Sequence, residues 1–318
     1  MKRVVLVMAY GGPDSLDDIE PYLLDIRGGR PTSPALVAEI RERYAQIGGR
    51  SPLLHITNAQ ARALESSLNA LARAEGSPPG YRVYVGMRHW TPYIADVVTQ
   101  IAADGFDSGV AFCMAPHASR MSSGAYLQKL RDAQAKLAVP LQFDFIESWY
   151  DQPFLVQSLA DKVRAAAQDF PAAERSAIHY LFTAHSLPAV LKEQGDPYES
   201  QLLATARQLA EALSLSASQW SFAYQSAGAA AGQWLGPAIE DVLPELAAAG
   251  KRSILVAPVG FMADHVEILF DLDIEAQQIA QGLGMRLVRS QSLNDTASFI
   301  SGLAEFIYRR AENAQPVA

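Results

Sequence analysis

The chain has 318 residues, 49% of them apolar, a formal net charge of −8 and one cysteine. That length and apolar content suffice for two packed domains, and the acidic balance, with no block of five or six like charges, argues against nucleic acid or an anionic membrane as the main partner. Cys113 alone excludes internal disulfides, cysteine-based zinc sites and a protein-held iron–sulfur cluster, and it suits a reducing compartment.

The first residues, MKRVVLVMAYGG, place a basic pair before six apolar residues. That run is too short for a signal peptide and predicts a first strand over 3–10. No stretch of about 18 apolar residues follows anywhere, so no transmembrane helix is expected and the cytoplasm is the expected location. Residues 27–57, RGGRPTSPALVAEIRERYAQIGGRSPLLHIT, hold two Gly-Gly pairs, three prolines and five arginines and read as a loop-rich, ligand-facing insertion. A helix is predicted at 58–74, then strands at 82–87, 109–116 and 141–146. A domain boundary is expected near 150, around ESWYDQPF. Beyond it come strands at 177–184, 220–226, 253–259 and 285–290, a helix at 201–214, and a terminal helix, TASFISGLAEFIYRR, expected to pack back on the first domain.

Strands apolar on both faces and alternating with helices predict an α/β protein with parallel sheets covered on both sides. The strand endings echo each other: MAYGGP and MAPHAS in the first half, FTAHSLP and VAPVGF in the second. Two similar sheets are therefore expected, with functional residues beyond the carboxyl ends of their strands. Nucleotide P-loop, dinucleotide G-x-G-x-x-G, H-E-x-x-H and G-x-S-x-G patterns are absent, which disfavours NTPase, dehydrogenase and serine hydrolase chemistry.

Residues 258–276, PVGFMADHVEILFDLDIEA, carry five carboxylates and a histidine among bulky apolar residues. On a helix, Asp264, Glu267, Asp271 and Glu275 share an arc of roughly 80°, with Asp273 pointing away and His265 off the stripe. Apolar residues fill most of the remaining circumference, so the stripe reads as a wet acidic line on a core helix. Crowded carboxylates of this kind need a cation or protons, and oxygen ligands suit a hydrated divalent ion that is passed along rather than stored. His185 ends its strand before S-L-P, where an imidazole can take a proton or bind metal, and Tyr10 holds the matching place in the first half.

These motifs together resemble the ferrochelatase family: LVMAYGGP, DIRGGRP, ERYAQIGGRSPL, FTAHSLP, YQSAG with WLGP, and the acidic segment, covering nearly the whole chain. The nearest branch is the soluble bacterial one that inserts ferrous iron into coproporphyrin III. The resemblance implies a chelatase-like fold of two Rossmann-like domains, each a parallel sheet flanked by helices, with a porphyrin cleft between them. The domains would span 1–150, with 27–57 as a porphyrin lip, and 151–298, followed by a helix at 299–318. It implies His185 and Glu267 as the catalytic pair, with His185, Glu267, Asp271 and Glu275 as metal ligands on a helix that widens to π geometry. It also implies substrate contacts from Tyr10, Arg27, Arg30, Ser51, Arg120 and Tyr126. Ala45 stands where relatives carry an arginine and Ala118 where they carry an aromatic, and Arg120 is the cation that could compensate.

Expected partners are a porphyrin and ferrous iron, the latter as substrate, with a divalent cation on the acidic stripe and no organic cofactor. No nucleic acid or membrane span is expected, and the chain is expected to be a monomer in transient contact with neighbouring haem-pathway enzymes. Rival readings are a protoporphyrin IX ferrochelatase, a cobalt or nickel chelatase for sirohydrochlorin, and a non-catalytic porphyrin or haem carrier.

Overall fold

The computed structural model describes residues 3–228 and 232–313. Its chain forms two compact units. One takes residues up to Pro116, Arg120–Trp149 and the stretch from Asn294; the other takes His117–Ser119 and Tyr150–Leu293.

In the first unit, β1 (Arg3–Ala9), β2 (Tyr81–Met87), β3 (Ser108–Cys113) and β4 (Gln142–Ile146) form a parallel sheet in the order β2-β1-β3-β4. β1 is buried on both faces because helices cover both. Val4, Leu6 and Met8 pack against Ile94, Val98 and Ile101 of helix Ile94–Ala103 on one side, and Ala9, Val85 and Met87 meet Ala61 of helix Leu53–Ala74 on the other. Helix Ala297–Asn313 packs on Leu53–Ala74, and its Phe299 stacks on the buried Trp149 with ring centroids 6.1 Å apart.

The second unit repeats the plan with β5 (His179–His185), β6 (Trp220–Gln225), β7 (Ser253–Ala257) and β8 (Arg286–Arg289), all parallel, in the order β6-β5-β7-β8. Each sheet thus has its first strand in the second place, and its chain order reverses beside that strand. Open α/β sheets bind ligands at such a reversal, outside the carboxyl ends of the strands. Tyr10 follows β1 directly, and His185 is the last residue of β5.

All eight predicted strands form, with ends shifted by a few residues. Residues 27–57 are not loop-rich. Pro34–Gln46 is a helix, and the helix expected at 58 already starts at Leu53. Ser33 accepts a hydrogen bond from the Leu36 amide and Pro34 takes the first helical turn, where its missing N–H costs nothing. The acidic segment does widen to π geometry, between two short α segments. A short helix, Val266–Leu269, passes into a π turn, Asp271–Ala276, and then into helix Gln277–Gly282. The π turn is fixed by the Glu275 amide, which donates to the Phe270 carbonyl at 2.9 Å.

Candidate functional site

In the second unit, the acidic segment docks by one face. Ile268, Leu272, Ala276 and Ala280, four residues apart, are buried in the same cluster as Leu181 of β5 and Val256 of β7. The residue before each of the first three is acidic: Glu267, Asp271 and Glu275. Burying the apolar row therefore sets the acidic row beside it.

Glu267 meets the end of β5. His185 Nδ1 lies 2.9 Å from Glu267 Oε2, each side chain about one-third exposed. Burial opposes the imidazolium, but the Glu267 charge and hydrogen bond, with Asp271 behind, raise His185 above its ordinary value. Burial also opposes the carboxylate, yet His185 and then His265 bring Glu267 below its ordinary value. Both directions describe one imidazolium–carboxylate pair. With Nδ1 engaged, Nε2 is the atom left to exchange a proton or meet a metal.

The surroundings hold this pair in place. Tyr198 OH donates to the His185 carbonyl at 3.0 Å, and Gln225 Nε2 donates to the Glu267 carbonyl at 2.6 Å. Ser226 Oγ donates to Asp271, which is 6% exposed. Ser226 adopts φ 59°, a left-handed conformation unfavourable for serine, at the turn after β6. His265 caps the short helix, its Nδ1 accepting from the Glu267 amide at 3.1 Å. That bond requires a bare Nδ1, consistent with burial lowering the affinity of His265 for protons.

Asp264 departs from the expected stripe. It lies before the helix, accepts from Ser292 Oγ at 2.7 Å and approaches Arg289 Nη1 at 3.4 Å. Arg289 also grips Asp273 through two hydrogen bonds of 2.6 and 2.8 Å. Among the described residues no three His, Cys, Asp or Glu side chains form a metal cage. His185, Glu267, Asp271 and Glu275 are thus not a closed chelating set.

The first unit gathers a different group. The loop after β1 is fixed by Tyr22 OH donating to the Gly11 carbonyl (3.1 Å) and by the Ser51 amide donating to the Pro13 carbonyl (2.8 Å). Tyr10 is 39% exposed, and its ring lies 4.8 Å from that of His89. His89 Nδ1 bonds to Asp25 at 2.8 Å, and burial keeps its imidazole neutral to lower pH than usual. The Arg88 guanidinium sits 5.7 Å from the Tyr10 ring centroid and 5.5 Å from that of Tyr126, while Nη1 donates to the Met121 carbonyl. Tyr126 is buried in the unit's core beneath Arg88, where burial raises its phenol far above the ordinary range. Ser51 is buried against Gly12. Arg27, Arg30 and Arg120 are exposed, and Arg30 Nε donates to the Arg27 carbonyl at 3.1 Å.

The family model described as Ferrochelatase matches residues 2–311. The chain belongs to the ferrochelatase family. The ferrochelatase of Deinococcus radiodurans is 43% identical over 96% of this chain and 95% of its own length. The coproporphyrin III ferrochelatase of Geobacillus kaustophilus is 38% identical over the same shares. Among solved structures, SirB from Bacillus subtilis with Fe3+ superposes with a TM-score of 0.59 at 11% identity, covering 99% of this chain and 97% of its own. That likeness shows the two-sheet α/β fold, shared with chelatases. No described helix is long and apolar enough to cross a membrane.

Sequence reasoning assigned no role to Arg88, Tyr198, Gln225, Ser226 or Arg289. YQSAG was legible as a family motif, but the left-handed turn that aims Ser226 at Asp271 was not. Arg289 ends an ordinary strand, and nothing local marks its two acidic partners.

Proposed function

We propose that this ferrochelatase inserts ferrous iron into coproporphyrin III. The observation that carries the reading is the 2.9 Å His185–Glu267 pair at the end of a central strand, backed by the buried Asp271. A porphyrin resists metalation because two pyrrole N–H protons occupy the metal's place. Insertion replaces them with Fe2+ and releases two protons. Neutral His185 accepts a pyrrole proton through Nε2, and Glu267 offers a carboxylate both to the proton and to the arriving metal. Asp271 and Glu275, next along the segment, hold hydrated Fe2+ on its way to Glu267; oxygen donors release a hard ion readily.

Preference for the four-carboxylate porphyrin is supported by relatives that carry that name and by three arginines of the first unit. Arg27, Arg30 and Arg88 have no carboxylate partner among the described residues, which leaves them able to bind substrate carboxylates through charge-assisted hydrogen bonds. Arg120 and Ser51 add polar contacts, Tyr126 backs Arg88, and the Tyr10 phenol meets the macrocycle. The test is anaerobic Fe2+ insertion into coproporphyrin III and protoporphyrin IX side by side. Faster turnover of coproporphyrin III is expected. Equal rates or a protoporphyrin preference would overturn the specificity, and tight binding of either porphyrin without metalation would favour a carrier. His185→Ala and Glu267→Gln are each expected to lower kcat by about 10²- to 10⁴-fold with the fold intact.

A further inference from the structure

Of the five carboxylates between Asp264 and Glu275, two are engaged by one cation. Arg289, at the end of β8, has a side chain 12% exposed. Its Nε and Nη2 donate to the two carboxylate oxygens of Asp273, inside the π turn, and its Nη1 approaches Asp264, ahead of the short helix. The same Nη1 donates to the Ser290 carbonyl at 3.1 Å, and Ser292 Oγ secures Asp264 from the other side. One guanidinium therefore ties the chain before Glu267 to the chain after Asp271.

That tie bears on how the acidic row is aimed. In α geometry four residues advance about 400°, so Asp271 overshoots Glu267 by about 40°, and a second α step would double the drift. An i→i+5 turn holds roughly 4.4 residues, so four residues advance about 330° and the drift reverses. The π turn at Asp271–Ala276 thus returns Glu275 to nearly the direction of Glu267. A π turn is a rare conformation that needs outside support, and carboxylates crowded at this spacing repel one another. Asp273, gripped at both oxygens, supplies that support from within the turn.

We propose that Arg289 is a positioning residue for iron delivery: by clamping Asp264 and Asp273 it holds the π turn that keeps Glu267, Asp271 and Glu275 in one line. The proposal rests on the iron-insertion reading above. It divides the segment's acids by task, with two balanced against Arg289 and three left for the metal.

The test compares the wild-type chain with Arg289→Met and Asp273→Asn. The second variant covers the case in which the first does not fold, because it keeps Arg289 beside Asp264 and removes one charge from the turn. The KM for Fe2+ is expected to rise about tenfold or more, while that for the porphyrin stays within about twofold, as for other groups that act through a ligand. Hydrogen exchange at the Ile274 and Glu275 amides, both bonded to the Phe270 carbonyl, is expected to quicken, with the rest of the second unit unchanged. A merely structural residue would lower stability and leave both KM values in proportion. Unchanged Fe2+ dependence, or equal rises for both substrates, would overturn the proposal. A wild-type chain that inserts no iron would instead remove the functional reading, and the exchange rates would then decide the clamp: unchanged exchange overturns it.

Discussion

At the scale of single residues, the site depends on two groups that change each other's protonation. His185 titrates above the ordinary 6.5 of an imidazole and Glu267 below the ordinary 4.5 of a carboxyl, so between those limits they form an ion pair. The pair's stabilisation through His185 is complete below 6.5 and lost as pH rises through the raised value; that through Glu267 is complete above 4.5 and lost as pH falls through the lowered one. An imidazolium cannot accept a pyrrole proton, so the insertion rate is expected to climb with pH through a midpoint above 6.5. In Glu267→Gln the raising charge is gone and burial dominates, so NMR titration of His185 should place its midpoint below that of the wild type. An unmoved midpoint would dissolve the coupling. Ser226→Ala removes the donor to Asp271 and is expected to raise the KM for Fe2+ by about 10- to 100-fold with a smaller effect on porphyrin; an unchanged Fe2+ dependence would show that Asp271 needs no such support. His185 and Glu267 were legible because strand ending and helical spacing are local signals. The Ser226 turn and the Arg289 clamp were not, since both exist only after distant segments meet.

At the scale of elements, the loop after β1 is tightly built against its own unit. Gly11 sits at φ 96°, and a Cβ there would lie 2.9 Å from the Trp90 amide nitrogen; one on Gly12 would fall 2.5 Å from Ser51 Cβ and Oγ. Gly12→Ala must therefore push Ser51 and the start of helix Leu53–Ala74 away from the loop that carries Tyr10. A loss of about 1–3 kcal/mol in stability is expected from such overpacking, with a raised porphyrin KM and a nearly unchanged KM for Fe2+. Denaturant titration and steady-state kinetics read the two effects, and an unchanged porphyrin KM would detach this loop from substrate binding. The helix at Pro34–Gln46 is hard to read from sequence because prolines and glycine pairs also mark loops. Ser33 and Pro34 are in fact a start signal, and Gly48 and Gly49, both at positive φ, are a stop. Asp264 was misplaced for a similar reason. His265 is the cap, so the regular helix starts at Val266, two residues after Asp264.

At the scale of the whole molecule, the strands were the most legible feature, since a strand covered on both faces must be apolar throughout and announces itself. Their order could not be read in the same way, because pairing is decided by which helices cover which face. The unit boundaries mix local and distant information: Trp149 and Tyr150 part company where the sequence changes character, but the return of the stretch from Asn294 to the first unit is a matter of packing. Phe299, Ile300, Leu303, Ala304 and Ile307 are all fully or almost fully buried there. Phe299→Ala is expected to cost the first unit about 3–5 kcal/mol, read by denaturant unfolding, with hydrogen exchange in the second unit unaltered; a cost under about 1 kcal/mol would mean that the helix is only loosely seated. The same arrangement has a consequence for synthesis on the ribosome. Domains usually fold in the order in which they emerge, but here the unit that begins first is finished last. Residues 150–293 can close their own core as soon as they leave the exit tunnel, whereas the nascent first half must wait, with the apolar side of Leu53–Ala74 uncovered, for a helix translated more than two hundred residues after it. The interval between those events is when the growing polypeptide has most need of a chaperone.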